Sequence, residues 1–302
     1  MLFLAKIEPM KKFENSNLLT ISSYLQEQLK KDSKATIIVP NPDIYKDAIT
    51  LKAWVNLAEL LMCKLLVPKV QDNTIELTFK KLKTSNSFHT QKVENIKEKY
   101  GTNSLFFTID KLKEPTFSLI YKLALELVDI ANKKHILNLG INRGDEFEFI
   151  KKILPQSTIK KQNYYGIDHS KSAIEYAKES LSDDNFYFFE HDINRLFDLN
   201  LPKMDLIISI GTLQSPKINY KPFLMELVQK QLSQNGALIL GFPNSRWIDN
   251  ELIYGAKVKN YSFSELSLLF KDVIFAKKYL QQKQFKVTIT GKEYIFLIAV
   301  KK

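Results

Sequence analysis

The sequence predicts an α/β protein in which a doubly wound, mostly parallel seven-stranded sheet ends in an antiparallel hairpin and follows a small N-terminal α/β domain. Three observations predict this architecture. From residue 136 onward, short apolar runs alternate with amphipathic helical patterns, which is typical of parallel sheets covered by helices on both faces. The chain then ends in two β-rich runs joined by Gly291-Lys292, which favours a two-residue hairpin turn. The first third has its own alternation of short elements, so we predict domains at residues 1–114 and 115–302.

The predicted N-terminal domain has no internal repeat and no low-complexity segment. Its strands are predicted at Ala35–Pro40, Thr74–Phe79 and Leu105–Ile109, and a helix-like apolar pattern covers Lys46–Leu66. Cys63, the only cysteine, lies in an apolar stretch, so we expect a buried, inert thiol. Substrate recognition and dimerisation are both open as roles for this domain.

The predicted C-terminal domain begins at Pro115, a residue favoured in the first turn of a helix, and this helix is predicted to run to Asn132. The predicted strands that follow are Ile136–Leu139, Tyr164–Asp168, Phe186–Asp192, Asp205–Ile210, Ala237–Phe242, Phe285–Thr290 and Glu293–Val300. The predicted helices between them are 146–154, Lys171–Leu181, Lys221–Leu232 and Ser264–Phe270. Such alternation implies right-handed crossovers between parallel strands.

Composition limits the classes of partner. The formal net charge of +11 raises the possibility of a nucleic-acid partner. However, only Arg143, Arg195 and Arg246 among the 44 basic residues are arginine, and the lysines are scattered among acids rather than concentrated in one stretch. Nucleic-acid surfaces usually concentrate charge on one face and use arginine, so this pattern favours a small-molecule partner over RNA.

The sequence also bears on compartment and metals. No apolar run approaches the roughly 18 residues that a membrane helix needs, and the start lacks the features of a secretory signal. No Cys/His cluster has metal-ligand spacing. We therefore expect a cytoplasmic protein with no membrane partner and no metal site.

Glycines follow the first strand of the predicted parallel sheet, in the run Asn138-Leu139-Gly140-Ile141-Asn142-Arg143-Gly144. Gly140 and Gly144 are four positions apart, whereas the outer glycines of the dinucleotide fingerprint G-x-G-x-x-G are five positions apart. Asp145 and Glu146 come next and would repel a pyrophosphate at the helix start. A purely structural alternative is that Asp145 caps the helix and Glu148 completes a capping box.

The segments NLGINRG, YYGIDHS, FEHDI, KMDLIISIG and LSQNGALILGFP, together with the final hairpin, resemble the class I S-adenosylmethionine-dependent methyltransferases. The resemblance covers residues 115–302 and implies a Rossmann-like fold, the cofactor S-adenosylmethionine and transfer of a methyl group. Two positions depart from the family pattern: Asn138 replaces the usual acid and Asn142 replaces the middle glycine. Asparagine tolerates positive φ better than other non-glycine residues, so the turn is retained.

The resemblance also implies roles at the strand ends. Asp168, 28 residues after Gly140, would accept both ribose hydroxyls, Asp192 would accept from the adenine amino group, and the Ile193 amide would serve a ring nitrogen. The candidate cofactor-binding residues are Asn138, Gly140, Asn142, Gly144, Asp168, His169, Asp192, Ile193 and Ser209.

The acceptor side is less defined. Asn244 and Arg246 follow the fifth strand, and Arg246 is a candidate clamp for an anionic small molecule or, alternatively, a surface residue packed on Trp247. No catalytic base is identified. Other readings stay open: an RNA methyltransferase that uses the basic N-terminal domain, an aminopropyl transferase or dehydrogenase on the same fold, and a binding protein with a degenerate site.

Overall fold

The computed structural model describes residues 11–14, 16–87, 96–255 and 267–302. These form two compact units that divide between Asn86 and Ser87. Residues 96–113 therefore lie in the second unit, whereas the sequence-based division placed them in the first. Their bonds explain this: Lys111 pairs with Glu146 at 2.5 Å and the Glu98 carboxylate accepts from Ser170.

The first unit is a small sheet with helices packed against it. Its elements are β1 (Lys11–Lys12), α1 (Leu18–Lys31), β2 (Lys34–Pro40), α2 (Leu51–Leu60), β3 (Cys63–Leu65), β4 (Lys69–Gln71) and β5 (Thr74–Lys81). Strand β5 is antiparallel to β2 and β3, and the core includes the fully buried Ile37, Trp54 and Phe79. The predicted strands at 35–40 and 74–79 are confirmed. Cys63 is buried as expected, and burial raises the pKa of its thiol to about 11.

The predicted helix over Lys46–Leu66 is wrong in extent. Helix α2 begins after Thr50, whose hydroxyl accepts from the Ala53 amide at 3.3 Å. It ends before Met62, where φ is +55° and the chain turns into β3. The apolar periodicity continues through this turn because Cys63 of β3 is buried and the rest of that strand is partly buried.

The second unit contains a seven-stranded sheet within the described residues, in the order β13-β14-β10-β9-β6-β7-β8. Its strands are β6 (His135–Leu139), β7 (Asn163–Asp168), β8 (Phe186–Glu190), β9 (Met204–Ile210), β10 (Leu232–Pro243), β13 (Phe285–Gly291) and β14 (Tyr294–Lys301). Its helices are α3 (Pro115–Leu127), α4 (Asp145–Ile153), α5 (Gln156–Ile159), α6 (Lys171–Ser180), α7 (Tyr220–Glu226) and α8 (Ser267–Gln282). Strands β8, β7, β6, β9 and β10 are parallel, while β14 is antiparallel to both β10 and β13. The predicted fold class is confirmed.

Both faces of the central strands are covered, so β6 and β9 are buried along almost their whole length. On β6, Ile136 packs with Phe147 and Ile150 of α4, while Leu137 packs on the other face with residues of α7 and α8. Each fully buried aliphatic side chain contributes about 1.5–3 kcal/mol. None of the described helices has the length and apolar character that crossing a bilayer requires.

Three helical predictions and one strand prediction need correction. The predicted helix at 115–132 ends at Leu127, because Asp129 adopts a left-handed conformation. Helix α7 ends at Glu226 and passes into a π-helical turn at Leu227–Gln231. The predicted helix at 264–270 is the start of α8, and residues 264–266 lie outside the described residues.

Leu105–Ile109 is not a strand. A 3-10 turn occupies Phe106–Thr108, and the Phe107 amide donates to the Ser104 hydroxyl at 3.2 Å. The Phe107 ring packs edge-on against Tyr176 of α6, with 5.0 Å between centroids. The aromatic run that predicted a strand therefore packs against α6 instead, through Phe107.

A second hairpin, β11 (Ser245–Ile248) and β12 (Glu251–Tyr254), was not predicted. Asp249 and Asn250 both have positive φ at its turn, so an Asp-Asn pair between two short apolar runs was the available signal.

The final hairpin is confirmed, but its turn is longer than predicted. Gly291 still pairs with Ile295, so three residues separate these two paired positions: Lys292 and Glu293 form the loop, and Tyr294 begins β14 by pairing with Pro243 of β10. The Asn244 side chain and amide donate to the carbonyls of Lys292 and Glu293, at 2.9 and 2.8 Å, and these bonds fix the longer loop against β10.

Gly291 is a direct test of this turn. Its φ is +113°, and a Cβ added there would overlap the Tyr294 carbonyl oxygen. We expect Gly291→Ala to destabilise the fold by about 1–3 kcal/mol, since strained backbone conformations cost that much. Thermal unfolding followed by circular dichroism measures it, with Lys286→Ala, at an exposed position of β13, as control. Equal melting temperatures for the two variants would contradict the assigned turn.

Candidate functional site

The carboxyl ends of β6, β7, β9 and β10 meet at one edge of the sheet. The strand order reverses between β6 and β9, because the chain passes from β6 to β7 on one side and returns to β9 on the other. Ligands of doubly wound sheets bind at such a switch point. The predicted candidates at 138–144, 168, 209 and 244 all lie within the last two residues of a strand or in the segment after it, at this edge.

The loop between β6 and α4 depends on left-handed backbone. Gly140, Asn142 and Gly144 have φ of +78°, +47° and +95°. A Cβ at Gly140 would overlap the Thr212 hydroxyl, and one at Gly144 would lie 2.8 Å from Leu181 Cδ1. Asn142 keeps the turn without glycine, as predicted from its tolerance of positive φ.

Asn142 joins three segments. Its backbone amide donates to Asp168 Oδ2 at 3.0 Å, and its side-chain Nδ2 donates to the Tyr100 carbonyl at 2.6 Å. The loop after β6 is thereby fastened to the end of β7 and to the segment before α3. A glycine at this position would supply only the turn.

Asp168 ends β7 and is 5% exposed. Its Oδ1 accepts from the Ser170 amide at 3.0 Å and lies 3.5 Å from His169 Nδ1. Burial raises the pKa of Asp168, although the Ser170 amide, the His169 charge and the Asn142 amide act in the opposite direction. The carboxylate is thus an enclosed acceptor at the strand tip.

Asn138 is 1% exposed, and neither its Oδ1 nor its Nδ2 has a protein partner. It lies two residues after Ile136 on β6, so its side chain points to the face that carries Ile136 and α4. Burying an amide without hydrogen bonds costs about 1–3 kcal/mol of folding free energy. We therefore expect a polar ligand or water to bond to the Asn138 side chain.

Glu98 was missed by the sequence reasoning. Its carboxylate accepts from the Ser170 hydroxyl at 3.0 Å, the Lys171 amide at 2.9 Å and the Ser172 hydroxyl, all at the start of α6. Burial alone would raise the pKa of Glu98, but the bonds from Ser172 and Ser170 lower it. The residue lies 72 positions from Ser170, so no local pattern indicated it.

Lys111 and Glu146 form a second cluster that the sequence did not reveal. Lys111 Nζ lies 2.5 Å from Glu146 Oε1, with the side chains 15% and 1% exposed. Burial alone would lower the pKa of Lys111, but the carboxylates of Glu146 and Asp145 raise it. Glu146 Oε2 is buried and has no protein partner.

Asp145 does not cap α4. The N-cap position is Gly144, and Asp145 Oδ1 instead accepts from Arg143 Nε at 2.6 Å. The capping-box alternative is therefore wrong. Arg143 also donates to the Phe107 carbonyl at 3.1 Å, so the pair connects the loop with the segment before α3.

Asp192 lies two residues beyond β8, which ends at Glu190 rather than at Asp192 as predicted. Its carboxylate is exposed and accepts from the Asn194 amide at 2.9 Å, which caps the 3-10 turn that begins at Ile193. His191 lies beside the Arg195 carbonyl, with 2.9 Å to Nε2. The adenine-binding roles of Asp192 and Ile193 stay predictions.

The acceptor-side candidates lie near the end of β10. Asn244 is 5% exposed and its Oδ1 has no protein partner. Arg246 is on β11, where burial lowers the pKa of its guanidinium. Ser209, on β9, donates to the Leu139 carbonyl at 3.3 Å and thereby joins the ends of β9 and β6. Among the described residues, no group of three or more His, Cys, Asp or Glu side chains is placed to hold a metal ion.

Comparison with known proteins gives one family. A family model described as a methyltransferase domain matches residues 132–290. No curated protein matches the chain.

Solved structures with a similar fold include several methyltransferases. A precorrin-6y C5,15-methyltransferase from Geobacter metallireducens is 12% identical, with a TM-score of 0.42, over 61% of this chain and 88% of its own. The N-methyltransferase NodS from Bradyrhizobium japonicum is 13% identical, with a TM-score of 0.42, over 63% and 99%. The plantazolicin methyltransferase BpumL is 14% identical, with a TM-score of 0.44, over 64% and 87%.

Asn142 is tested by two substitutions. Asn142→Gly and Asn142→Ala both remove the bond to Tyr100, but only alanine is strained at positive φ. Because a left-handed residue with a Cβ costs about 1–2 kcal/mol, we expect the alanine variant to be less stable by about that amount. Chemical denaturation compares the two, with Asn194→Ala as an exposed control. An alanine variant as stable as the glycine variant would contradict the assigned backbone.

Proposed function

Because the chain belongs to the methyltransferase-domain family, whose model matches more than half of it, we propose that it transfers a methyl group from S-adenosylmethionine to a small-molecule acceptor. The observation that carries the choice of cofactor is the pair of strand-end side chains at the switch point. Asn138 is buried with an unsatisfied amide, and Asp168 is a buried carboxylate at the tip of the neighbouring strand. Both are suited to a polar ligand that crosses the ends of β6 and β7.

The residues present fit such a ligand. Each oxygen of Asp168 accepts one backbone N–H, at 3.0 Å, and a carboxylate oxygen has two lone pairs. Capacity therefore remains for the two hydroxyls of a ribose. Ser170 and Asn142 hold the carboxylate in position from both sides, so little reorganisation is needed when the ligand binds.

S-Adenosylmethionine supplies a sulfonium methyl group that is transferred by in-line displacement. The chain's own task is to position the acceptor and to exclude water, since proximity and orientation provide much of the acceleration. A base is needed only if the acceptor must lose a proton. We assign no residue to that role.

A small acceptor is favoured by the enclosure of the acceptor side. Asn244 is buried, and Arg246 and Trp247 are only partly exposed. A polynucleotide acceptor requires an exposed cationic track, and a buried amide suits a ligand that enters a cavity. We propose that Arg246 binds an anionic group of the acceptor.

Asp168 is the first test. We expect Asp168→Asn to weaken binding of S-adenosylhomocysteine about 10- to 100-fold, because hydrogen bonds to charged groups contribute about 1.5–3 kcal/mol. Isothermal titration calorimetry measures the affinity, and Asp198→Asn, at an exposed ion pair, is the control. Unchanged affinity in Asp168→Asn would remove the proposed ribose contact, and tighter binding of NAD by the native chain would remove the proposed cofactor.

The affinity of the protein for S-adenosylhomocysteine should also depend on pH. The ionised carboxylate accepts the hydroxyls, and burial raises the pKa of Asp168. Affinity for S-adenosylhomocysteine should therefore fall as the pH decreases, beginning above the range in which an ordinary aspartate is protonated. Asp168→Asn should lose this dependence, and His169→Gln tests whether the adjacent imidazole contributes. A native affinity that is constant down to pH 4 would contradict the assignment.

The acceptor class is tested with methyl-labelled S-adenosylmethionine and a cell extract. We expect label in the small-molecule fraction, and label in nuclease-sensitive material would identify an RNA acceptor instead. Once the acceptor is identified, Arg246→Ala should raise the KM for that acceptor and leave the affinity for the cofactor unchanged. An equal loss of both would contradict the proposed clamp.

A further inference from the structure

The buried pair of Lys111 and Glu146 has capacity that the protein does not use. Glu146 is 1% exposed, yet only its Oε1 is bonded, to Lys111 Nζ, while Oε2 is buried without a protein partner. Burying two charges is costly, and an incompletely bonded buried pair is a poor stabiliser of a fold. A ligand that completes the bonds would account for its presence.

The position of Glu146 follows from its helix. Glu146 lies one turn before Ile150 on α4, so the two side chains share the face that packs on the sheet. Asn138 lies two residues after Ile136 on β6, and therefore shares the face of Ile136. Since Ile136 and Ile150 belong to one core cluster, Asn138 and Glu146 both extend that cluster toward the carboxyl edge.

Tyr294 places Lys111 at the same edge. Lys111 Nζ lies 5.7 Å from the centroid of the Phe117 ring, and that ring packs edge-on against the Tyr294 ring with 5.3 Å between centroids. Tyr294 is paired with Pro243 at the end of β10, and its ring would lie 4.0 Å from a Cβ at Gly211, directly after β9. The ion pair thus lies beside the switch point.

The chemistry of these groups matches an α-amino acid. An amino-acid head group carries an ammonium and a carboxylate side by side, and Glu146 and Lys111 present the opposite charges side by side. Lys111 has three N–H donors, of which Glu146 takes one, and the Asn138 amide has both a donor and an acceptor to offer. We propose that Glu146, Lys111 and Asn138 bind the amino-acid head group of S-adenosylmethionine, with Glu146 supplying the negative charge that position 138 lacks.

This inference rests on the proposed cofactor, and two ligands separate the two claims. S-Adenosylhomocysteine has the head group, whereas 5′-methylthioadenosine has the same nucleoside thioether without it. We expect Glu146→Gln and Lys111→Met to weaken S-adenosylhomocysteine at least about tenfold in calorimetry. Both variants should bind 5′-methylthioadenosine within about twofold of the native chain.

The control is the ion pair at the other end of α4. Lys151 and Asp183 are joined at 2.6 Å but are 27% and 37% exposed, and Asp183→Asn should change neither affinity. If a single variant of the buried pair unfolds because one charge is left uncompensated, the double variant Lys111→Met with Glu146→Gln removes both charges. It should show the same selective loss.

The remaining outcomes separate the claims. Native binding of both ligands with no selective loss in the variants would overturn the head-group assignment and leave the cofactor standing. An equal loss of affinity for both ligands would mean that the Lys111–Glu146 pair only attaches the segment before α3 to α4 and does not bind the head group. Failure of the native chain to bind either ligand would overturn the proposed cofactor, and the head-group assignment with it.

Discussion

The hydrogen bond from the Asn142 amide to the buried Asp168 carboxylate is the interaction on which the arrangement of the site depends. It can form only because the backbone at Gly140 and Asn142 is left-handed, which turns the amide toward the end of β7. The carboxylate in turn accepts from Ser170, at the start of α6. One buried charge therefore sets the geometry of two strand ends and two helix starts, and the proposed ribose site is available without further rearrangement.

The same edge of the sheet is covered by residues 96–113, which are held by polar and ionic bonds together with ring packing such as that of Phe107 on Tyr176. Glu98 bonds to the start of α6, the Tyr100 carbonyl to Asn142, the Phe107 carbonyl to Arg143, and Lys111 to Glu146. Charge-assisted hydrogen bonds are directional, so they fix this segment at defined atoms of the loop. The segment thereby contributes Lys111 to a cluster whose other members come from the sheet and α4.

The buried carboxylate of Glu146 gives a reason for the amide at position 138. An acid at the end of β6 would place a second carboxylate on the face that already carries the buried Glu146. Like charges in a buried site raise each other's pKa and tend not to ionise together. An amide at position 138 avoids this conflict while retaining an acceptor. In the proposed head-group site, the departure from the family pattern is a redistribution of negative charge from position 138 to Glu146.

The sequence by itself determined the parallel sheet, the final hairpin, the glycine loop and the position of Asp168 at the end of its strand, because hydrophobic periodicity and turn chemistry are local properties. Local properties also misled: the aromatic run at Leu105–Ile109 forms a 3-10 turn, and Asp192 lies outside its strand and caps the next turn. Only the tertiary structure decided the contacts of Glu98 and Lys111, whose partners are more than 30 positions away. Such pairs have no spacing rule, since they depend on how the elements pack, and the unsatisfied amide of Asn138 can be recognised only once its burial is known.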